Sequence, residues 1–103
     1  MSQRVLFQDV KPIDVVRSLD DLRGPGSGPL VLPLDVYWGP DPLVDLASAS
    51  DVAKAYQAVL REGDVRAQES LLDRDLLVRT WADLLLPARV RTRWEARFPE
   101  LTA

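Results

Sequence analysis

Ser48-Ala49-Ser50-Asp51-Val52-Ala53-Lys54-Ala55-Tyr56-Gln57-Ala58-Val59-Leu60-Arg61-Glu62-Gly63 is the stretch on which the fold class turns. Val52, Ala55, Tyr56, Val59 and Leu60 recur at i, i+3, i+4, i+7 and i+8, the spacing of one buried face of an α-helix. Ser48 and Ser50 offer N-caps, and Gly63 is the residue type that closes a helix. The same grammar continues downstream. Asp64 can cap a short helix to about Leu72. Asp73 can cap another that carries Leu76, Leu77, Thr80, Trp81 and Leu84. After Leu85-Leu86-Pro87, Val90, Trp94 and Phe98 stack at i, i+4 and i+8 until Pro99 ends the run. Residues 48–98 therefore read as the helical part, three to four short helices.

Upstream the pattern changes. Leu30, Leu32, Leu34, Val36 and Trp38 alternate with Val31, Pro33, Asp35 and Tyr37, a period of two that predicts a strand over residues 30–38. Pro33 cannot donate to a ladder, so the segment is expected either as an edge strand or as an extended stretch lying on helices. One strand is not a sheet, so its partner is expected in residues 4–10 or in another chain. Before it, Gly24-Pro25-Gly26-Ser27-Gly28-Pro29 reads as a flexible connector. Residues 12–23 read as a short amphipathic helix, with Pro12 at its start and Val15, Leu19 and Leu22 on one face. The expected fold is mostly α with a short extended or β front (α+β), one edge strand followed by the helices. It forms a single small domain, 1–103, with the N-terminal helix and Gly/Pro loop occupying 1–29.

The chain holds no histidine and no cysteine among its 103 residues. Those side chains supply most neutral-pH general bases, nucleophile–base pairs and transition-metal ligands, so the composition argues against catalysis. With no disulfide or zinc centre to hold it, stability must come from packing or association. No apolar run is long enough for a membrane span and no signal-like segment opens the chain, so a cytoplasmic location without membrane attachment is expected. Charge is uneven. Residues 1–73 carry seven Lys/Arg against twelve Asp/Glu, and residues 74–103 carry six Arg against four acids. An acidic front with a mildly basic tail fits a charge-complementary protein partner better than broad nucleic-acid coating.

Four features raise the question of chemistry. Gly24-Pro25-Gly26-Ser27-Gly28 lacks the Lys and the following helix that a phosphate loop needs. Asp73 and Asp75 have the spacing of a two-carboxylate magnesium site only if they lie on a strand. On a helix they diverge, Asp73 caps and Asp75 favours the dipole, so no metal or other cofactor is expected. Arg89, Arg93 and Arg97 repeat every four residues beside Arg91, a row able to bind phosphate or carboxylate groups and equally able to serve as a solvated helix face. Tyr37 and Trp38 stand next to the Gly39-Pro40-Asp41-Pro42 turn, with Asp45 close behind. Aromatic residues so placed are frequent interface anchors, whereas Trp81 and Trp94 fall on buried stripes.

Three stretches carry a resemblance over residues 20–101. They are Leu32-Pro33-Leu34-Asp35-Val36-Tyr37-Trp38-Gly39 followed by Val44-Asp45-Leu46, then Ala55-Tyr56-Gln57-Ala58-Val59-Leu60-Arg61-Glu62-Gly63, then Leu84-Leu85-Leu86-Pro87-Ala88-Arg89-Val90-Arg91-Thr92-Arg93-Trp94-Glu95. In these the chain resembles small actinobacterial proteins encoded beside nucleotidyltransferase-like toxins of the abortive-infection type. The resemblance implies an antitoxin or accessory subunit with no catalysis of its own. The leading expectation is a non-enzymatic protein-interaction module that binds its partner through Tyr37, Trp38, Asp41 and Asp45, either alone or as a homo-oligomer. The alternative is a small DNA-binding regulator acting through Arg89, Arg91, Arg93 and Arg97. A metal-dependent transferase centred on Asp73 and Asp75 is the third and weakest reading.

Overall fold

The computed structural model describes residues 13–103. The described residues form four α-helices and a two-stranded antiparallel sheet, the mostly helical α+β class expected from the sequence. Helix α1 spans Ala49–Glu62. The Ser48 side chain accepts from the Asp51 N–H at its start, and the Gly63 N–H returns to the Val59 carbonyl at its end. Helix α2, Val65–Leu71, is capped by Asp64, whose carboxylate accepts from the Ala67 N–H at 2.9 Å. Helix α3, Arg74–Thr80, is capped by Asp73 in the same way, from the Leu76 N–H at 3.0 Å. A 3-10 turn at Trp81–Asp83 leads to helix α4, Ala88–Arg97, and a second at Pro99–Leu101 closes the fold. Each cap satisfies donors that the helix itself leaves unpaired.

The front of the chain departs from expectation. Pro12, the apolar residues near position 6 and the candidate strand partner at 4–10 lie outside the described residues. Within 13–23 there is no α-helix, only a 3-10 turn at Leu19–Asp21 opened by the Ser18 side chain. Leu19 and Leu22 are buried as the periodicity predicts, but Val16, off the predicted stripe, is buried with them. The backbone takes its partners from another element instead of from a helical ladder. The Arg23 N–H donates to the Glu69 carbonyl at 2.7 Å and the Gly24 N–H to the Leu72 carbonyl at 2.8 Å. Gly24 is the point of closest approach. A Cβ there would lie 2.3 Å from the Leu71 carbonyl carbon. The Gly/Pro stretch, a loop leading into the strand as expected, is thus bolted to the α2–α3 junction at its first residue.

The predicted strand also shortens. Strand β1 is Pro29–Val31, and its partner is strand β2, Leu43–Asp45, with Leu30 opposite Val44 and Val31 opposite Leu43. Among the described residues its partner comes from downstream of the Gly-Pro-Asp-Pro turn; the expected partner at 4–10 lies outside them. Pro33 ends the extended run by accepting the Val36 and Tyr37 N–H groups at its carbonyl, 3.0 and 2.9 Å. The turn breaks the period-two alternation. Leu32 and Val36 stay buried, while Leu34 and Trp38, expected on the same face, turn outward.

The core is apolar and continuous from Val16 to Leu101. Trp81 and Trp94 sit at its helical end, ring centroids 6.2 Å apart, and Trp94 meets Phe98 at 5.6 Å. Both contacts are tilted, the arrangement aromatic quadrupoles favour. Gln68 is fully buried, and its amide nitrogen donates to the Asp14 carbonyl at 2.8 Å and the Gly63 carbonyl at 3.3 Å. Tyr56 is buried on α1, and its hydroxyl accepts from the Asp73 N–H at 2.9 Å. Desolvation pushes its pKa from 10.0 up to about 12.

Two stability outcomes follow. Gly24→Ala forces the connector off the junction, and urea denaturation should read a loss of about 1–3 kcal/mol, the usual cost of overpacking. Tyr56 stays neutral in the fold to a higher pH than in the unfolded chain. Stability from this group is therefore complete below pH 10 and falls as pH rises through 10 to 12, by about 2–3 kcal/mol in all. In Tyr56→Phe that alkaline component should vanish, although the variant is weaker at neutral pH because the Asp73 N–H loses its acceptor.

Candidate functional site

The residues between the two strands form a closed excursion over α1. Its base is sealed by the Leu32 N–H on the Pro42 carbonyl at 2.9 Å, and Leu32 and Val36 plug it into the core. Tyr37 is half-buried, and the Lys54 ammonium of α1 lies 4.8 Å from its ring centroid. The same ammonium donates to the Asp41 carbonyl at 2.6 Å, tying both limbs of the excursion to the helix. Gly39 folds back on Tyr37 so tightly that a Cβ would lie 2.3 Å from the tyrosine hydroxyl. Trp38, between these two clamped residues, projects outward with 69 % of its surface exposed. A cleft of about 250 Å³ runs from Trp38 to Ala58 and Arg61 on α1.

Trp38 has company. Among the described residues, the large hydrophobic side chains that stand exposed are Val31, Leu34, Trp38, Leu43 and Leu85, and all but Leu85 belong to this hairpin and its excursion. Val31 and Leu43 face each other across the sheet on its outer side, while Leu30 and Val44 point inward. Single exposed apolar residues are ordinary, but a concentration of this kind marks an interaction surface. Residues 24–53 carry Asp35, Asp41, Asp45 and Asp51 and no Lys or Arg, so the excursion's own residues are apolar and acidic, with Lys54 and Arg61 of α1 bordering them.

The sheet edges are guarded. The Leu32–Pro42 and Leu46–Gly28 hydrogen bonds set the ladder so that residues 29, 31, 43 and 45 aim their backbone groups outward. Pro29 has no donor there. The Asp45 N–H is already taken by the Asp51 carboxylate at 2.8 Å. Prolines at 29 and 33 bracket the three-residue β1, a device that resists strand addition. Blocked at positions 29 and 45, the short edges disfavour strand addition and leave recognition mainly to side chains.

Of the four residues predicted for partner binding, Trp38 and Asp41 are exposed with their side chains toward solvent. Tyr37 holds the excursion in place. Asp45 is exposed but its carboxylate is engaged, accepting from the Ala47 N–H at 2.9 Å at the approach to α1. The sequence reading missed Val31, Leu34 and Leu43. The signal for Leu43 was its place in a three-residue strand, too short for alternation to show.

The arginine row is less uniform than its spacing. Arg89, Arg93 and Arg97 are exposed on α4. Arg91 turns inward: its guanidinium lies 5.0 Å from the Trp81 ring centroid, donates to the Leu84 carbonyl at 2.5 Å and pairs with Glu95 at 3.5 Å. Glu95 in turn accepts from the Trp81 indole N–H at 2.9 Å. Arg91 is thus engaged at the Trp81 corner, unlike the exposed Arg89, Arg93 and Arg97 of the same predicted set. Arg97 donates to the Val16 carbonyl at 3.4 Å, joining α4 to the N-terminal segment. Asp73 and Asp75 diverge as a helix start requires. Among the described residues no group of three or more acids forms a metal site, and no helix is long and apolar enough to cross a membrane.

No protein family, curated protein or solved structure matches the chain. Its function must be read from its own surface.

The two kinds of arginine separate by measurement. Arg91→Ala should cost about 1–3 kcal/mol in urea denaturation, because it strips hydrogen bonds and a ring contact from the Trp81 corner. Arg93→Ala, on the exposed face, should stay within about 0.5 kcal/mol of the parent.

Proposed function

We propose that this protein is a non-enzymatic interaction module, the antitoxin or accessory subunit of a two-protein pair, which binds and inhibits a partner enzyme through the excursion between its strands. The observation that carries this reading is the set of exposed apolar side chains on residues 31–43, with Trp38 at its tip. Two other tryptophans in the same chain are fully buried, so the fold has room for aromatic residues and yet holds this one out. Tyr37, Lys54 and Gly39 fix the excursion before any partner arrives, which lowers the ordering cost of binding. The surrounding Asp35 and Asp41 direct the surface toward a basic partner. An enzyme that handles anionic nucleotides presents such a pocket, and acids placed over it would block access of the substrate. For the DNA-binding alternative, Arg91 is engaged at the Trp81 corner, while Arg89, Arg93 and Arg97 stand on the exposed face of α4.

Affinity capture from native lysate, with the full chain as bait, tests the reading. The parent should retain one stoichiometric protein whose enzymatic activity falls on binding. Trp38→Ala should weaken that complex by at least about 30-fold, the scale of a central aromatic hot spot. Capture that is indifferent to Trp38→Ala, or nucleic acid eluted by salt with no protein partner, overturns it.

A further inference from the structure

A second cleft opens on the face where the N-terminal segment crosses α2 and α4, and it has no part in the proposal above. Arg17 and Arg23 of the N-terminal segment and Arg97 at the end of α4 line the same open cleft of about 480 Å³. They are brought together by contacts already described. The Arg23 N–H is held by the Glu69 carbonyl of α2, and the Arg97 side chain by the Val16 carbonyl. All three arginines are exposed, and among the described residues none of them forms an ion pair. The same cleft carries two half-buried carboxylates, Asp21 and Glu69, and a floor of half-buried Val15 and Val65.

This mixture selects its ligand. Guanidinium groups are forked donors matched to phosphate oxygens. A nucleic-acid backbone brings a phosphate at every step, and the carboxylates would repel the neighbouring ones. A small molecule with one phosphate and several hydroxyls meets no such conflict. Its phosphate faces the arginines, its hydroxyls donate to Asp21 and Glu69, and its carbon skeleton lies on the two valines. We infer that the Arg17–Arg23–Arg97 cleft binds a monophosphate ester of a polyhydroxy compound, such as a sugar phosphate or a nucleoside monophosphate.

Calorimetric titration of the full chain with ribose 5-phosphate, inorganic phosphate and ribose tests this. Ribose 5-phosphate should bind saturably and at least about tenfold more tightly than inorganic phosphate, with no binding of ribose alone. Arg17→Ala and Arg23→Ala should each weaken both phosphate ligands by about tenfold, with unfolding midpoints unchanged because both side chains are exposed. Asp21→Ala and Glu69→Ala should do the opposite for inorganic phosphate, strengthening it while erasing the preference for the sugar ester. A general electrostatic effect would not erase that preference. Absence of saturation at about 10 mM, or equal binding by the Arg17→Ala/Arg23→Ala double variant, overturns the inference.

Discussion

The junction between α2 and α3, residues 71–73, is the constraint on which the rest of the structure depends. Two helices end and begin there within two residues, leaving backbone groups that neither helix can satisfy. They are met from three directions. The Gly24 N–H covers the Leu72 carbonyl, the Tyr56 hydroxyl covers the Asp73 N–H, and the Asp73 carboxylate covers the start of α3. Because those partners belong to the N-terminal segment, to α1 and to α3 itself, one short turn fixes three elements at once. An unmet buried amide would cost more than a made hydrogen bond gains, so the arrangement is specific as well as stable.

That anchoring explains how so small a sheet persists. Two three-residue strands are not stable alone. Here the chain reaching β1 is already pinned at Gly24, and β2 runs directly into the capped start of α1. Leu32, Val36 and Val44 then bury the inner face of the hairpin and its excursion. The apolar residues left outside are the ones the packing cannot reach. The molecule thus holds a partly hydrophobic excursion against a helical base, with Lys54 and Tyr37 as its clasp.

The helical half was legible in the sequence, because each of its signals is local. Ser48, Asp64 and Asp73 each cap the helix their position predicts, and Trp81, Trp94 and Phe98 fall on the stripes that bury them. The front was not, because its structure is set by distant partners. Val15, Leu19 and Leu22 have helical spacing, but the Glu69 and Leu72 carbonyls hold the backbone in another course. Leu34 and Trp38 continue an alternation that Pro33 interrupts. Leu43 sits in a strand only three residues long. For the site, Trp38 and Asp41 were readable from the turn beside them. Arg91 was not separable from its neighbours, since nothing in its spacing reveals that Trp81 and Leu84 lie beneath it.

Amide hydrogen exchange of the full chain, alone and bound to its captured partner, tests the central claim most directly. If the excursion is the recognition surface, exchange slows across residues 30–45 on binding and stays unchanged across α4. Protection confined to residues 88–97, with none over 30–45, would contradict the account and place recognition on the arginine helix.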